Sequence, residues 1–482
     1  MRLDELISGL PAHLISGAPD SQIIAVTADS RAVGPGMMFA AMPGSKLDGG
    51  SFITDALARG AAAILAAAGT AVPPEIPFVA ADQPRAALAR IAVRLAGKMP
   101  RVIAAITGTN GKTSSADFLR QIWQHAEIPA ASIGTLGIIA GDRPPRPCLT
   151  TPDPVTLAME LAQLAAAGID YVAIEASSHG LDQARLDGLT LAAAGFTNLT
   201  RDHLDYHGDM AAYGAAKLRL FNELLPEGAA AIASTALDPA TLAQMQDIAA
   251  RRGLLFDSVG AGGSMIDLLR VTPVAHGQIL ELRTADGTNE IMLPLAGRFQ
   301  ADNVLMAAGL ALALETQGVF AALPDLKGVR GRLELAGSLP NGATAYVDYA
   351  HTPDALTRLI QALRPHCTGR LILVFGAGGD RDPGKRPLMG KVAADLADVA
   401  IITDDNSRSE DPTFIRAAIT AACPAAIEIG DRRAAIAAAL NMAGPADLVV
   451  VAGKGHEQGQ IVGSTVLPFD DAAVIRDLLG AG

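Results

Sequence analysis

The sequence predicts an α/β protein of three domains, built on parallel sheets with helices on both faces. Three observations carry this expectation. Short apolar runs alternate along the chain with longer Ala/Leu-rich helical patterns, as strand–helix–strand units do. The length of 482 residues corresponds to about two to four domains at about 100–200 residues each. At Ile103–Ser114 an apolar run enters a glycine-rich turn, then Lys-Thr, then a helical pattern, the order of a P-loop.

Buried strands are expected at Ala61–Ala66, Val102–Ile106, Tyr171–Glu175, Leu371–Phe375, Val399–Thr403 and Leu448–Ala452, because each is short, apolar and flanked by turn residues. Helices are expected at Ser114–Ala126, Pro154–Ala167, Ala301–Gln317, Pro353–Leu363 and Arg432–Met442. A fresh strand leaves the Gly97–Pro100 segment, and another strand–helix series follows the Gly/Arg-rich segment Gly328–Leu339. The expected domains are therefore residues 1–97, 98–333 and 334–482. The middle one is a P-loop-type parallel-sheet ATPase domain and the last a Rossmann-like α/β domain.

Composition narrows the function classes. Hydrophobic residues make up 50% and charged residues 18%, enough for a large core. The formal net charge of −12 argues against broad binding to nucleic acid or anionic membranes, though it permits a local basic pocket for phosphates. Cys148, Cys367 and Cys423 are widely scattered and show neither metal spacing nor a disulfide framework, which fits a reducing compartment. The first residues, Met1-Arg2-Leu3-Asp4-Glu5, are acidic early and lead into no long apolar run, so no signal peptide is expected. No stretch approaches the roughly 18 apolar residues of a membrane span. A cytoplasmic monomer acting on small molecules is expected, with neither nucleic acid nor membrane as partner.

The phosphate loop is the sharpest local feature. Glycines let the backbone approach phosphate oxygens, and amide hydrogens point at the anion. Lys112 can reach the β- and γ-phosphates, and the Thr113 hydroxyl can ligate Mg²⁺. Ile106 stands where the general pattern G-x-x-x-x-G-K-[ST] has its first glycine, so the loop is a shortened variant. Glu175 ends an apolar strand, a suitable place for a metal-ligating carboxylate beside such a loop; taken alone, a surface glutamate is the blander alternative. His203 and His207 sit in a polar cluster, Thr197–Gly208, directly after the apolar Leu191–Phe196 stretch. A lone histidine is more often packed or solvated than a ligand, and at this point both readings stay open.

Taken together, Thr107–Thr113, Glu175-Ala176-Ser177-Ser178-His179-Gly180-Leu181, Thr197–Gly208, Lys217, Val347–Pro353 and Gly453-Lys454-Gly455-His456-Glu457 resemble the Mur ligase family, with the motifs in order along essentially the whole chain. The resemblance implies an ATP-dependent amide ligase of peptidoglycan synthesis: ATP phosphorylates a substrate carboxylate, and an incoming amine attacks the acyl phosphate. It also implies that the first domain binds a UDP-sugar substrate. Gly108, Thr109, Asn110, Gly111, Lys112, Thr113 and Ser114 would hold the ATP phosphates. Thr113, Glu175 and His203 would place Mg²⁺. Lys217 matches a lysine that the family carbamylates, giving an anion able to organise a second Mg²⁺; from the residues alone, an exposed helical lysine is the preferred reading. Asn303 would lie near the adenine, Arg332 at the γ-phosphate and Asp348 at the ribose. Ser30, in Asp29-Ser30-Arg31, would lie near the uridine, with the looser loop Gly44–Gly49 beside it. Thr150, Thr151, Ser177, Gln183 and Arg185 would hold the diphosphate, sugar and peptide.

The amino acid added is read from Asp405-Asn406-Ser407-Arg408, which resembles the family's Asp-Asn-Pro-Arg motif for meso-diaminopimelate with Ser407 in place of Pro. Diaminopimelate carries one ammonium–carboxylate centre more than lysine, and a fixed Arg left without its carboxylate would reject lysine. Arg408 and Arg381 would take carboxylates, and Gly453 and Glu457 the ammonium end. Two further departures from the family are Ser114, where many relatives have Thr, and Ala229–Thr235, which lacks an Asn-Asp pair. The alternatives are the lysine-adding homologue, another Mur or folylpolyglutamate-type ligase, a P-loop switch or transport ATPase, and an inactive nucleotide-binding scaffold. The lysine-adding homologue should lack the Arg of this motif, and the other superfamily ligases share the P-loop but should lack the motif pair Asp405–Arg408 and Gly453–Glu457. The switch or transport ATPase gives no evident place to His179, Lys217 and His351, and the intact Lys112, Thr113 and Glu175 speak against an inactive scaffold.

Overall fold

Several helices begin where an Asx or Thr cap precedes a proline at the first helical position, where its fixed φ and missing N–H do no harm. Asp153 accepts from the amides of Val155 and Thr156 at the head of Pro154–Ala166. Asp238, Thr352 and Asp411 cap Pro239–Arg252, Pro353–Leu363 and Pro412–Thr420 in the same manner. The computed structural model describes residues 1–44, 48–141, 145–274 and 276–480. The chain divides into two units, Met1–Asp267 with Asn303–Ala322, and Leu268–Asp302 with Leu323–Gly482.

The first unit contains two α/β sheets. One has the strand order Ala12–Ser16, Phe78–Ala81, Ala63–Ala66, Met37–Ala40, Ala25–Thr27, parallel except for the Ala12–Ser16 edge. Seven neighbouring strands of the other run Leu255–Gly260, Ala230–Ser234, Ala193–Phe196, Val102–Thr107, Tyr171–Glu175, Ala130–Gly134, Gly137–Ala140, and of these seven only the last pair is antiparallel. Val102–Thr107 is central, and its register sets Ile106 opposite both Glu175 and Gly195. Ile106 is a fully buried strand residue, which is why no glycine is needed there.

The second unit carries a six-stranded sheet ordered Glu334–Ser338, Thr344–Asp348, Leu448–Ala452, Leu371–Phe375, Val399–Ile402, Ile427–Glu428, parallel apart from the first strand. One core cluster, with Leu356, Phe375 and Met389, and another, with Val347, Ile436 and Val451, bury its apolar residues. Two hairpins, Gly277–Thr284 with Gly287–Leu293 and Gly459–Val462 with Thr465–Pro468, complete the unit.

The expected strands and helices occur with ends shifted by a few residues. The largest difference is Arg298–Ala313 against the expected Ala301–Gln317. Glu315 takes a left-handed φ of 57°, beyond which the apolar pattern no longer has a helix to follow. Among the described residues no helix is long and apolar enough to cross a membrane.

A buried ion pair underlies the second unit. Arg432 donates to both carboxylate oxygens of Asp471, at 2.7 and 2.8 Å, and both side chains have 0% exposure. Its Nη2 also donates to the Ala452 carbonyl (3.0 Å), and its Nη1 reaches the Asp404 carbonyl (3.3 Å). Removing one partner of such a pair strands the other charge. Asp471→Ala should lower stability by about 3–5 kcal/mol, read as a fall in the thermal midpoint; a midpoint within a degree of the parent's would contradict the assignment.

Candidate active site

The loop after Val102–Thr107 is pinned from one side by the segment following Ala193–Phe196. Thr109 donates its amide to the Asn198 carbonyl (2.9 Å) and its hydroxyl to the Thr200 carbonyl (3.0 Å). Asn110 N–H reaches Asn198 Oδ1 at 2.9 Å, while Thr197 Oγ1 donates to the Asn110 carbonyl at 2.6 Å. Gly108 has φ +145°, and a Cβ there would lie 1.9 Å from Thr197 Oγ1, so this close approach requires glycine. The helix Lys112–His125 then starts at Lys112. Ser115 Oγ donates to the carbonyl of Asn303, which is itself buried. Ser114 is buried in the first helical turn.

Glu175 is 1% exposed at the end of its strand. Its Oε1 accepts the Thr135 amide at 2.7 Å, and the Thr113 hydroxyl is also bonded to the carboxylate. Burial raises the Glu175 pKa, opposed by Lys112 and by these bonds. Burial lowers the Lys112 pKa, opposed by Glu175 and Asp202. Lys112 Nζ rests on the carbonyls of Gly108 (2.9 Å) and Thr109 (2.8 Å).

Lys217 corrects the sequence-based preference for an exposed lysine. It is 1% exposed, donates to the Gly108 carbonyl at 2.7 Å, and lies 4.5 Å from the centre of the Tyr213 ring. Burial and then the nearby Lys112 charge bring its pKa down to about 6, with Asp202 opposing. The helix Met210–Arg219 hides it because Tyr213, Gly214 and Leu218 share its buried face.

His203 adopts φ +51° and stays half-exposed, with Asp202 Oδ2 3.6 Å away. It belongs to a ring cluster: His179 lies 4.9 Å from His203, 4.1 Å from Tyr206 and 5.6 Å from His207, between centroids. His207 Nε2 is buried there without a hydrogen-bond partner.

A cavity of about 960 Å³ opens in the first unit and is lined by Ser30, Gln183 and Arg185. Arg31 of the Asp29-Ser30-Arg31 motif also lines it, as do Arg59 and Arg85, which were not singled out from sequence, where isolated arginines carry no periodic signal. Arg185 donates to the Thr151 carbonyl (2.5 Å) and to Gln183 Oε1 (2.8 Å). Thr151 Oγ1 donates to the Glu175 carbonyl at 2.7 Å, and Ser177 Oγ caps the helix Ser178–Asp182, so these two hydroxyls brace the strand end. Thr150 meets Thr135, hydroxyl to hydroxyl, at 3.1 Å. In the loop Gly44–Gly49, Ser45, Lys46 and Leu47 lie outside the described residues.

In the second unit, Arg332 lies over the Tyr349 ring at 5.0 Å. The Asp348 oxygens accept the amides of Leu333 and Ala350, each at 2.8 Å, and burial raises its pKa. Arg408 holds a left-handed φ of +50°. Its amide donates to the Ile461 carbonyl (3.1 Å), and its carbonyl accepts from Gly463 (2.7 Å). Its side chain donates to the Gly379 carbonyl at 2.8 Å. The hairpin therefore holds the loop without the family's proline; Ser407 is buried, with its carbonyl against Gly379. Gly453 has φ +118°, and a Cβ would fall 2.6 Å from Asp405 Oδ2. Asn406 turns inward, bonding Glu457 Oε2 at 2.9 Å. Arg381 is exposed and donates to the Asp380 carbonyl at 3.4 Å.

The pinned phosphate loop at the carboxyl end of a parallel sheet gives the first unit the architecture of a P-loop-type nucleotide-binding protein. Three family models match in order: "Mur ligase family, catalytic domain" at residues 22–99, "Mur ligase middle domain" at 106–311 and "Mur ligase, glutamate ligase domain" at 331–455. The chain belongs to the Mur ligase family. It is 51% identical over 473 residues to the UDP-N-acetylmuramoyl-L-alanyl-D-glutamate–2,6-diaminopimelate ligase of Rhizobium meliloti (strain 1021), covering 98% of this chain and 97% of that one. A solved structure of a ligase of that same name matches with TM-score 0.79 and 31% identity, over 100% and 99% of the two chains. A Mycobacterium tuberculosis folylpolyglutamate synthase solved with ADP and AMPPCP shares the fold, with TM-score 0.61, 21% identity and coverage of 82% and 95%.

Gly108→Ala tests the loop geometry. The variant should stay folded by circular dichroism and lose at least about tenfold in ATP affinity, about 1.4 kcal/mol, by calorimetry; unchanged affinity would contradict the close approach to Thr197.

Proposed function

We infer that the chain joins meso-2,6-diaminopimelate to the D-Glu carboxylate of UDP-N-acetylmuramoyl-L-Ala-D-Glu, using ATP, in peptidoglycan biosynthesis. The observation that carries the reading is near-full-length similarity to ligases named for that reaction, in a chain whose Arg408 is held by backbone bonds on both sides.

A carboxylate is a poor electrophile, so the D-Glu oxygen first attacks the γ-phosphorus, and ADP departs. The amine of diaminopimelate then attacks the acyl carbon of the resulting acyl phosphate. The tetrahedral intermediate releases inorganic phosphate, and the amine proton is lost as the amide forms. The protein's contribution is positioning and charge neutralisation. Gly108 to Ser114 hold the phosphates, and Lys112 leaves its carbonyl contacts to meet them. Asn303, Arg332 and Asp348 are further ATP contacts. Arg185, Gln183 and Ser30 line the cavity for the UDP-sugar peptide, and Thr150, Thr151 and Ser177 are further contacts to that substrate.

The donor set suits Mg²⁺. Thr113 and Glu175 are hard oxygen ligands already bonded to each other, and Mg²⁺ is ordinarily held by one or two carboxylates with substrate phosphates supplying the rest. Among the described residues no cluster of three or more His, Cys, Asp or Glu could hold a metal alone. His203 is the third protein candidate. Such an ion would neutralise charge on the transferring phosphoryl group. Lys217, with its pKa near 6, has the free amine that carbamylation needs at neutral pH.

The reading is tested by phosphate release from ATP with UDP-N-acetylmuramoyl-L-Ala-D-Glu, comparing meso-diaminopimelate with L-lysine. Release should depend on diaminopimelate, and Arg408→Ala should raise its KM at least about tenfold, about 1.4 kcal/mol of binding, while leaving ATP binding unchanged. Equal use of lysine by the parent would overturn the substrate assignment.

A further inference from the structure

Lys454 lies in the segment Gly453–Glu457, yet the reaction as described gives it no part. Its side chain has 0% exposure. Its three ammonium hydrogens have three acceptors: the Gly459 carbonyl at 2.5 Å, Asn406 Oδ1 at 3.1 Å and Glu457 Oε2 at 3.2 Å. These belong to three separate pieces: the hairpin Gly459–Pro468, the Asp405–Arg408 loop, and its own loop.

The network continues outward. Asn406 Nδ2 also donates to Glu457 Oε2, at 2.9 Å, and Ile461 N–H donates to Asn406 Oδ1 at 2.9 Å. The Asn406 amide is thereby spent inside the protein. Glu457 has one oxygen, Oε2, held by two donors, while among the described residues Oε1 meets no hydrogen-bond donor and the side chain stays 33% exposed. The next residue of the hairpin after Ile461 sits beside Arg408, whose backbone the same hairpin fixes in its left-handed conformation. A non-glycine residue with that φ persists only where its surroundings enforce it.

We propose that Lys454 is a positioning residue that sets amino-acid specificity: it fixes Glu457 by one oxygen against Asn406 and the hairpin that holds Arg408, leaving Glu457 Oε1 for the substrate ammonium. This rests on the reading of Asp405–Arg408 and Gly453–Glu457 as the amino-acid site. Lys454 has a second effect, because its charge is opposed to Glu457 in a buried setting. An amino acid ending in a bare ammonium gains less from Glu457 than it would without Lys454. One ending in an ammonium–carboxylate centre is compensated by Arg408. Lys454 therefore both orders the two loops and disfavours lysine relative to diaminopimelate.

The test uses the full chain with ATP and the UDP-peptide saturating, comparing meso-diaminopimelate and L-lysine as acceptors. Lys454→Met removes the charge and its hydrogen bonds; Lys454→Gln removes the charge and keeps a donor. In both, the ratio of kcat/KM for diaminopimelate to that for lysine should fall at least about tenfold. KM for diaminopimelate should rise, while kcat and the KM for ATP stay within about threefold. A merely structural role would lower the melting temperature and move every constant together, leaving the ratio unchanged, and that result overturns the proposal. Glu457→Gln, which leaves Lys454 in place, should move the ratio the other way; it decides the matter if both Lys454 variants fail to fold, and an unmoved ratio there counts against the proposal. Failure of the parent to use diaminopimelate would instead defeat the underlying functional reading, before any variant is compared.

Discussion

Two lysine side chains converge on the carbonyl of Gly108, Lys112 Nζ at 2.9 Å and Lys217 Nζ at 2.7 Å. Burial disfavours charge on both, and the Lys112 ammonium further disfavours charge on Lys217. Lys112 faces Glu175 and Asp202, which support its charge. Lys217 has only Asp202 opposing its burial, and it is the group that yields its proton. The phosphate loop thus stands next to an uncharged, nucleophilic amine.

That arrangement depends on backbone geometry more than on side-chain packing. Gly108 can approach Thr197 only because it lacks a Cβ, and Thr109 and Asn110 are tied to residues 197–200 through backbone and side-chain bonds. The same segment leads into His203, so the element that shapes the phosphate loop also carries a candidate metal ligand. Glu175 is fixed separately, by Thr135 and Thr113. Neighbouring strands of one parallel sheet therefore deliver the loop, the carboxylate and the histidine segment to the same edge, as expected at the carboxyl ends of such strands.

The elements were legible where one local signal sufficed. Leu371–Phe375 and Leu448–Ala452 are continuous apolar runs, and Pro353–Leu363 starts on a Thr-Pro cap; all three have the expected ends. Motif residues of the phosphate loop were legible because glycine, lysine and threonine have fixed roles there. Lys217 was not legible from local pattern: its helix has an Ala/Gly-rich turn on which a lysine reads as solvated, and its burial comes from Tyr213 and the distant Gly108. The bonds of the Asn406 side chain to Lys454 and Glu457 likewise have no local signature in the sequence. The partnership of Arg432 with Asp471 spans 39 residues, and the arginines of the first-unit cavity come from separate helices and loops. Such contacts exist only once the chain has folded.

The central claim is that burial keeps Lys217 an amine able to take up carbon dioxide. Its pKa lies near 6, below the ordinary lysine value, so the reactive neutral form grows as pH rises through 6 and dominates at 7.5. The direct measurement is carbon-13 NMR of the full chain equilibrated with labelled bicarbonate at pH 7.5, beside Lys217→Met. The account predicts a carbamate resonance in the parent that is absent from the variant and weakens as the pH is lowered below 6. A parent spectrum without that resonance, together with ligase activity unaffected by carbon dioxide depletion, would contradict it.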